Sequence, residues 1–151
     1  MAQVGEIAPE FELEGTDGRF NLSDHRGERV VLLFYPGDFT PVCTKQFCSY
    51  SDRSDEIAAL DATVVGISGQ SVERHHEFTS MHAIPVPLLA DEDRKVAKAY
   101  GLTQPIFGTR RAVVIVDESG RIAYRHVHRL GLDFQTVDEL RDALASISTR
   151  A

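Results

Sequence analysis

Three short apolar runs, Val30–Phe34, Thr63–Ser68 and Ala112–Val116, are almost uninterrupted by polar residues. That is the pattern of strands covered on both faces. Between them the spacing turns helical, predicting helices from 41 to about 60, from 71 to about 82 and over 94–100. Strands alternating with helices predict an α/β layer with a largely parallel centre. Ahead of the first run, alternating residues over 8–13 and 19–22 flank Asp17-Gly18 and predict a hairpin. After the last run, Asp117-Glu118-Ser119-Gly120 predicts a turn into an antiparallel strand over 121–128. Thr136 and Glu139 have capping-box spacing, and Val137, Leu140, Leu144 and Ile147 then form one apolar stripe.

No repeat, linker or low-complexity tract divides the chain, so one domain is expected over all 151 residues. Such a length buries about two thirds of the unfolded surface. Strand–helix alternation ending in a hairpin and a helix suits a thioredoxin-like α/β sandwich, although periodicity alone leaves other α/β folds open. A net charge of −7 removes the electrostatic footprint of a nucleic-acid binder. The first residues lack the basic and apolar regions of a signal peptide, and no apolar run is long enough to span a bilayer. A soluble, cytoplasmic protein is the expectation, in which the Asn21-Leu22-Ser23 sequon has no role.

The candidate chemistry sits after the first apolar run. Pro36-Gly37 breaks the strand, Thr40 suits a helix N-cap, and Pro41 suits the first helical position. Cys43 then falls in the first turn, where unpaired backbone N–H groups and the helix dipole favour the reactive thiolate. Cys48, the only other cysteine, follows five residues later. In a reducing compartment a close pair points to catalysis, redox sensing or metal binding, and C-x4-C without a second pair is a poor tetrahedral metal site. The residues therefore favour a redox-active thiol. Steps of four and three from Cys43 give Phe47, Tyr50, Ser54 and Ile57, a mostly core-facing stripe. An intact helix turns Cys48 away from Cys43 by about 140° and displaces it by about 7.5 Å. A disulfide needs Cα atoms within about 7 Å, so any bond between these two requires the first turns to unwind.

Pro36-x-x-x-Thr40-x-x-Cys43 resembles the signature of the peroxiredoxins, thiol peroxidases with a modified thioredoxin fold. The step to Cys48, with Thr44 and Gln46 between, is similar to the bacterioferritin comigratory protein or peroxiredoxin Q subfamily. The resemblance runs through Ala8-Pro9-x-Phe11-x-Leu13, Phe34-Tyr35-Pro36, Ser71-x-x-x-His75-x-x-Phe78, Pro87-Leu88-Leu89-Ala90-Asp91 and Arg111. It implies a thioredoxin-like fold with an N-terminal β-hairpin extension and a central mixed sheet flanked by helices. It also implies reduction of hydrogen peroxide and small organic hydroperoxides, with no organic cofactor and no metal. Cys43 would be the peroxidatic nucleophile and Cys48 the resolving thiol of an intramolecular disulfide. Thioredoxin or a similar dithiol would reduce that disulfide. Thr40, the Val42 and Cys43 N–H groups and Arg111 would position the peroxide, Pro36 would shield the thiolate, and Gln46 would polarise the hydrogen bonds. The resemblance selects Arg111 over its neighbour Arg110, which is read as solvated. A monomer is implied, with dimerisation as the alternative. The chain departs from the subfamily pattern at Val42, Phe47 and Ala112, and the bulk of the first two bears on peroxide access and on unwinding.

Other clusters have plainer readings. His75, His76, His82, His126 and His128 fit polar faces better than a metal site, and His75 suits a structural hydrogen bond. Asp91-Glu92-Asp93 reads as a solvated turn and helix start. Phe39 and Phe107 would line the pocket mouth, an interface between copies, or the edge of the core. Two rival functions are a general thiol–disulfide oxidoreductase, which normally uses C-x-x-C, and a non-enzymatic redox sensor, for which the sequence offers no partner motif.

Overall fold

The computed structural model describes residues 3–37, 41–104, 108–128 and 134–147. In chain order, β1 (Glu12–Gly15) and β2 (Gly18–Asn21) form a hairpin, and a 3-10 turn over Leu22–His25 leads into β3 (Val30–Phe34). Then come α1 (Pro41–Asp52), α2 (Ser54–Ala58), β4 (Thr63–Ser68), α3 (Val72–His82), β5 (Leu88–Ala90) and α4 (Lys95–Ala99). A small pair, β6 (Thr103–Gln104) and β7 (Gly108–Thr109), precedes β8 (Ala112–Val116), β9 (Ile122–Val127) and α5 (Val137–Ile147).

Among the described residues, seven strands form one sheet in the order β2-β1-β5-β4-β3-β8-β9. β3 pairs with β4, and β4 with β5, in parallel. β8 pairs with β3, and β9 with β8, antiparallel. The parallel centre, antiparallel edge and flanking helices make up the mixed α/β sandwich expected from the sequence.

β3 lies between β4 and β8, and all five of its residues are buried. Successive strand side chains point to opposite faces. Val31 and Leu33 accordingly join the core beneath α1 and α5, with Cys43, Phe47, Tyr50, Leu140 and Leu144. Val30, Leu32 and Phe34 join the other core, with Phe20, Val96, Tyr100 and Leu102. Each such aliphatic side chain contributes about 1.5–3 kcal/mol on full burial. The uninterrupted apolar run is thus required by helices on one face and the hairpin with α4 on the other.

Two glycines permit close approaches. A Cβ on Gly66, in β4, would lie 2.7 Å from the Leu88 side chain and 3.3 Å from Phe47. A Cβ on Gly15 would meet Leu89 at 2.5 Å, where the hairpin joins β5.

The single helix expected from 41 to about 60 is instead two. Arg53 leaves helical geometry at φ −122°, ψ 38°, and its carbonyl accepts from the N–H groups of Glu56 and Ile57. Its guanidinium bonds Glu56 within α2 and, at 2.8 Å, Asp138 at the start of α5. Asp91 is also not solvated. It is buried, and its carboxylate accepts from the N–H groups of Val96 and Ala97 at 3.2 and 2.9 Å, capping α4. Burial raises its pKa, against the opposing pull of those backbone bonds. The Thr136–Glu139 capping box forms reciprocally, at 3.0 and 3.2 Å.

Hydrogen bonds from Arg53 hold the Glu56 and Asp138 carboxyls below their ordinary titration range. A carboxyl with a depressed pKa adds stability above its unfolded pKa and loses it as pH falls through the folded one. These groups are exposed, so the effect is modest. Arg53→Gln is expected to lower the melting temperature by a few degrees at about pH 7. In thermal melts followed down to about pH 2, that gap should close.

Candidate active site

The strand–helix junction predicted to carry the chemistry is built as follows. β3 ends at Phe34, and the Tyr35 N–H continues the sheet by donating to the Ile67 carbonyl. The Tyr35 hydroxyl donates to His75 Nδ1 at 3.3 Å, and His75 Nε2–H donates to the Leu89 carbonyl at 3.0 Å. These bonds use both ring nitrogens of a fully buried histidine and tie α3 to the sheet behind Pro36. Pro36 itself is half-buried. The structural hydrogen-bonding role read for His75 is the one observed.

Pro41 is the first residue of α1, so Val42 and Cys43 fall in its first turn. Helix geometry supplies no carbonyl to N–H groups there. Thr40, Phe39 and Phe107 lie outside the described residues. Cys43 is fully buried, Cys48 is half-buried, and both thiols are free. α1 runs unbroken past both, so the disulfide-incompatible spacing expected from helical geometry holds in this structure. On the buried stripe, Cys43, Phe47, Tyr50 and Ile57 face the core, while Ser54 is exposed beyond the break at Arg53.

Arg111 reaches the thiol across the core. It precedes β8, is only 3% exposed, and places Nη2 2.9 Å from Cys43 Sγ. Arg110 is half-buried, and no bond joins it to either cysteine. Guanidinium is a donor only, so the sulfur must accept. Arg111 Nη1 donates to Gln46 Oε1, Gln46 Nε2 donates to Tyr50 Oη at 3.0 Å, and Tyr50 Oη donates to the Gln135 carbonyl at 2.5 Å. Each polarity fixes the next. Because the tyrosine proton goes to a carbonyl, Tyr50 must accept from Gln46, so the amide oxygen faces the guanidinium. Burial pushes the Tyr50 hydroxyl well above its ordinary range, against smaller lowering effects from Gln46 and Arg111, and keeps it a donor.

No ion pair joins Arg111 to a carboxylate among the described residues, and its buried Nε has no hydrogen-bond partner there. A buried cation without a counter-charge is costly, so the site suits an anion at Cys43 and retains a donor for an incoming oxygen. Phe47 packs on Tyr35, Tyr50 and Phe78, with ring centroids 4.7, 5.5 and 6.0 Å away. Two features were missed in the sequence. Tyr50 follows Gln46 at the four-residue helical step, a signal that was present. The contact of Cys48 Sγ with His82 Nδ1, at 3.4 Å, joins two helices and left no sequence signal. Among the described residues, no group of three metal-ligating side chains comes together.

A buried thiol in the first turn of a helix, faced by an arginine just ahead of β8, thus sits on a thioredoxin-like fold. Residues 4–125 match the AhpC/TSA family, and the chain belongs to that family. Within it, the similarity is to peroxiredoxins of the Bcp and Q types. The Bcp peroxiredoxin of Bacillus subtilis is 36% identical over 128 residues, covering 80% of this chain and 82% of that protein. The chloroplastic peroxiredoxin Q of Oryza sativa subsp. japonica is 41% identical over 123 residues, 80% of this chain. That match spans 57% of the rice protein's length. The crystal structure of the peroxidoxin BcpB from Mycobacterium tuberculosis superposes with a TM-score of 0.81 at 27% identity, covering 100% of this chain and 99% of that one.

Tyr50→Phe removes the link between Gln46 and Gln135 and strands buried polar groups at both ends. Chemical denaturation should show a loss of about 1–3 kcal/mol. With the Gln46 amide free to flip, the second-order rate of Cys43 oxidation should fall as well.

Proposed function

We propose that the chain is a thiol peroxidase that reduces hydrogen peroxide and small organic hydroperoxides through Cys43. The observation that carries this reading is the Arg111 Nη2 to Cys43 Sγ distance of 2.9 Å at a buried site where, among the described residues, no carboxylate pairs with the guanidinium. Membership of the AhpC/TSA family and likeness to named peroxiredoxins support it.

In the first step the Cys43 thiolate attacks one peroxide oxygen in line with the O–O bond. The S–O bond forms, the O–O bond breaks, and the leaving oxygen takes a proton to become water or an alcohol. Charge develops on that oxygen, and donors aimed at it lower the barrier. Arg111 supplies a guanidinium that cannot be deprotonated, and its Nε–H, without a partner among the described residues, is available to an oxygen acceptor. Thr40 and the N–H groups of Val42 and Cys43 complete the donor set, while Pro36 shields the thiolate. Gln46 holds Arg111 in place through its amide oxygen.

Cys43 is left as a sulfenic acid. The Cys48 thiol then attacks that sulfur: the S–S bond forms, the S–O bond breaks, and water leaves. The start of α1 unwinds for this step, because the helical spacing forbids the bond. A thioredoxin-like dithiol reduces the disulfide by exchange and is itself oxidised. The cycle requires neither metal nor organic cofactor. We further propose that the 151 residues act as one monomeric domain in the cytoplasm. The two-cysteine usage fits a reducing compartment, and no helix among the described residues is long and apolar enough to cross a membrane.

Stopped-flow mixing of the reduced protein with hydrogen peroxide, with intact mass recorded, tests the reading. Oxidation should run orders of magnitude faster than for free cysteine and end in a Cys43–Cys48 disulfide. Cys43→Ser should abolish it, and Cys48→Ser should stop at the sulfenic acid and lose thioredoxin-driven turnover. A rate like that of free cysteine would remove the peroxidase assignment. Arg111→Lys should slow the first step by about 10²–10³, the usual cost of losing one donor to a developing oxyanion.

A further inference from the structure

Cys48 has a partner that the first oxidation step does not use. Its Sγ lies 3.4 Å from Nδ1 of His82, within hydrogen-bonding reach for sulfur, on the half-buried side of α1. His82 is the last residue of α3, and Ala83 ends the helix there in a left-handed conformation with φ 50°. The imidazole is packed edge to face on Phe78, with centroids 5.2 Å apart, and Phe78 packs in turn on Phe47 of α1. An aromatic stack between the helices therefore sets where the ring stands, and the ring stands at the second thiol. Cys43 and Arg111 form a separate contact in the core.

We propose that His82 is the general base of the resolving step. This rests on the reading of Cys48 as the resolving thiol. His82 Nδ1 takes the proton from Cys48 Sγ as the sulfur attacks the Cys43 sulfenic acid. The S–S bond forms, the S–O bond breaks, and the departing hydroxyl recovers the proton from the imidazolium as water. His82 is unchanged at the end, and no other oxidant or reductant enters. An imidazole changes charge near neutrality, as this task requires. The C-terminal end of α3 favours the transient positive charge through the helix dipole. An ordinary thiol is only a few per cent thiolate at neutral pH, so full activation of an attacking cysteine is worth up to about thirtyfold in rate.

The test follows both phases after mixing the reduced full-length protein with hydrogen peroxide: loss of the Cys43 thiol, then formation of the disulfide. His82→Gln can keep a hydrogen bond but cannot take the proton. It should leave the first phase within about twofold of the parent and slow the second by about tenfold. His82→Ala should show the same split, and added imidazole should restore part of its second phase. A parent-like second phase in His82→Gln would overturn the proposal, as would a slow His82→Ala that imidazole does not accelerate. Equal slowing of both phases would mean that His82 merely supports α1, and would overturn it too. If the parent itself forms no Cys43–Cys48 disulfide, the resolving assignment falls first and the base with it.

Discussion

A guanidinium buried with no carboxylate partner among the described residues is the constraint on which the site depends. Arg111 has to be supplied with acceptors inside the protein, and α1 supplies two of them, Cys43 Sγ and Gln46 Oε1, from a single face. Once the guanidinium is placed, the orientations of Gln46 and Tyr50 follow, and the chain of donors ends at the Gln135 carbonyl just ahead of α5. The network around the sulfur is thus anchored from three directions: the segment just ahead of β8 that carries Arg111, the helix of Cys43 itself, and the backbone leading into the last helix. Loss of any acceptor leaves a charged or polar group buried, which costs more than the bond itself contributed.

The two sulfurs have opposite surroundings on one helix. Cys43 faces inward onto charge, whereas Cys48 faces a neighbouring helix near the surface. An intact α1 keeps them apart, so the packing that assembles the first site also withholds the second. Phe47, wedged among three aromatic rings, fastens the helix midway between the two cysteines.

Much of this could be read from the chain itself. The apolar runs located β3, β4 and β8 because those strands are covered on both faces. The Thr136–Glu139 capping box located α5, and Pro41 located the start of α1. Arg111 was selected over Arg110 by family resemblance; the structure buries Arg111 beside Cys43, and Arg110, read as solvated, is half-buried. What escaped depended on partners distant in sequence. The break at Arg53 involves no glycine or proline, and is accompanied by ion pairs to Glu56 and to Asp138 on α5. Asp91 looked like part of a solvated acidic run, yet it is drawn inside to cap α4. β5 is too short for periodicity to reveal, and forms because β4 and Gly15 lie on either side of it. His82 met Cys48 only through the packing of α3 on α1.

Gly66 carries a consequence for how mutations reach the thiol. It lies in the middle of β4, well apart in sequence from both cysteines, and has no chemical role. A methyl group there would press on Leu88, Tyr35 and Phe47 at 2.7, 3.2 and 3.3 Å. Phe47 is one helical turn from Cys43, so a push on that ring is a push on the helix that carries the sulfur. The depth at which the Cys43 sulfur sits is therefore written into the opposite layer, as a missing side chain. Variation at a silent strand position would be felt as altered reactivity before it was felt as altered shape.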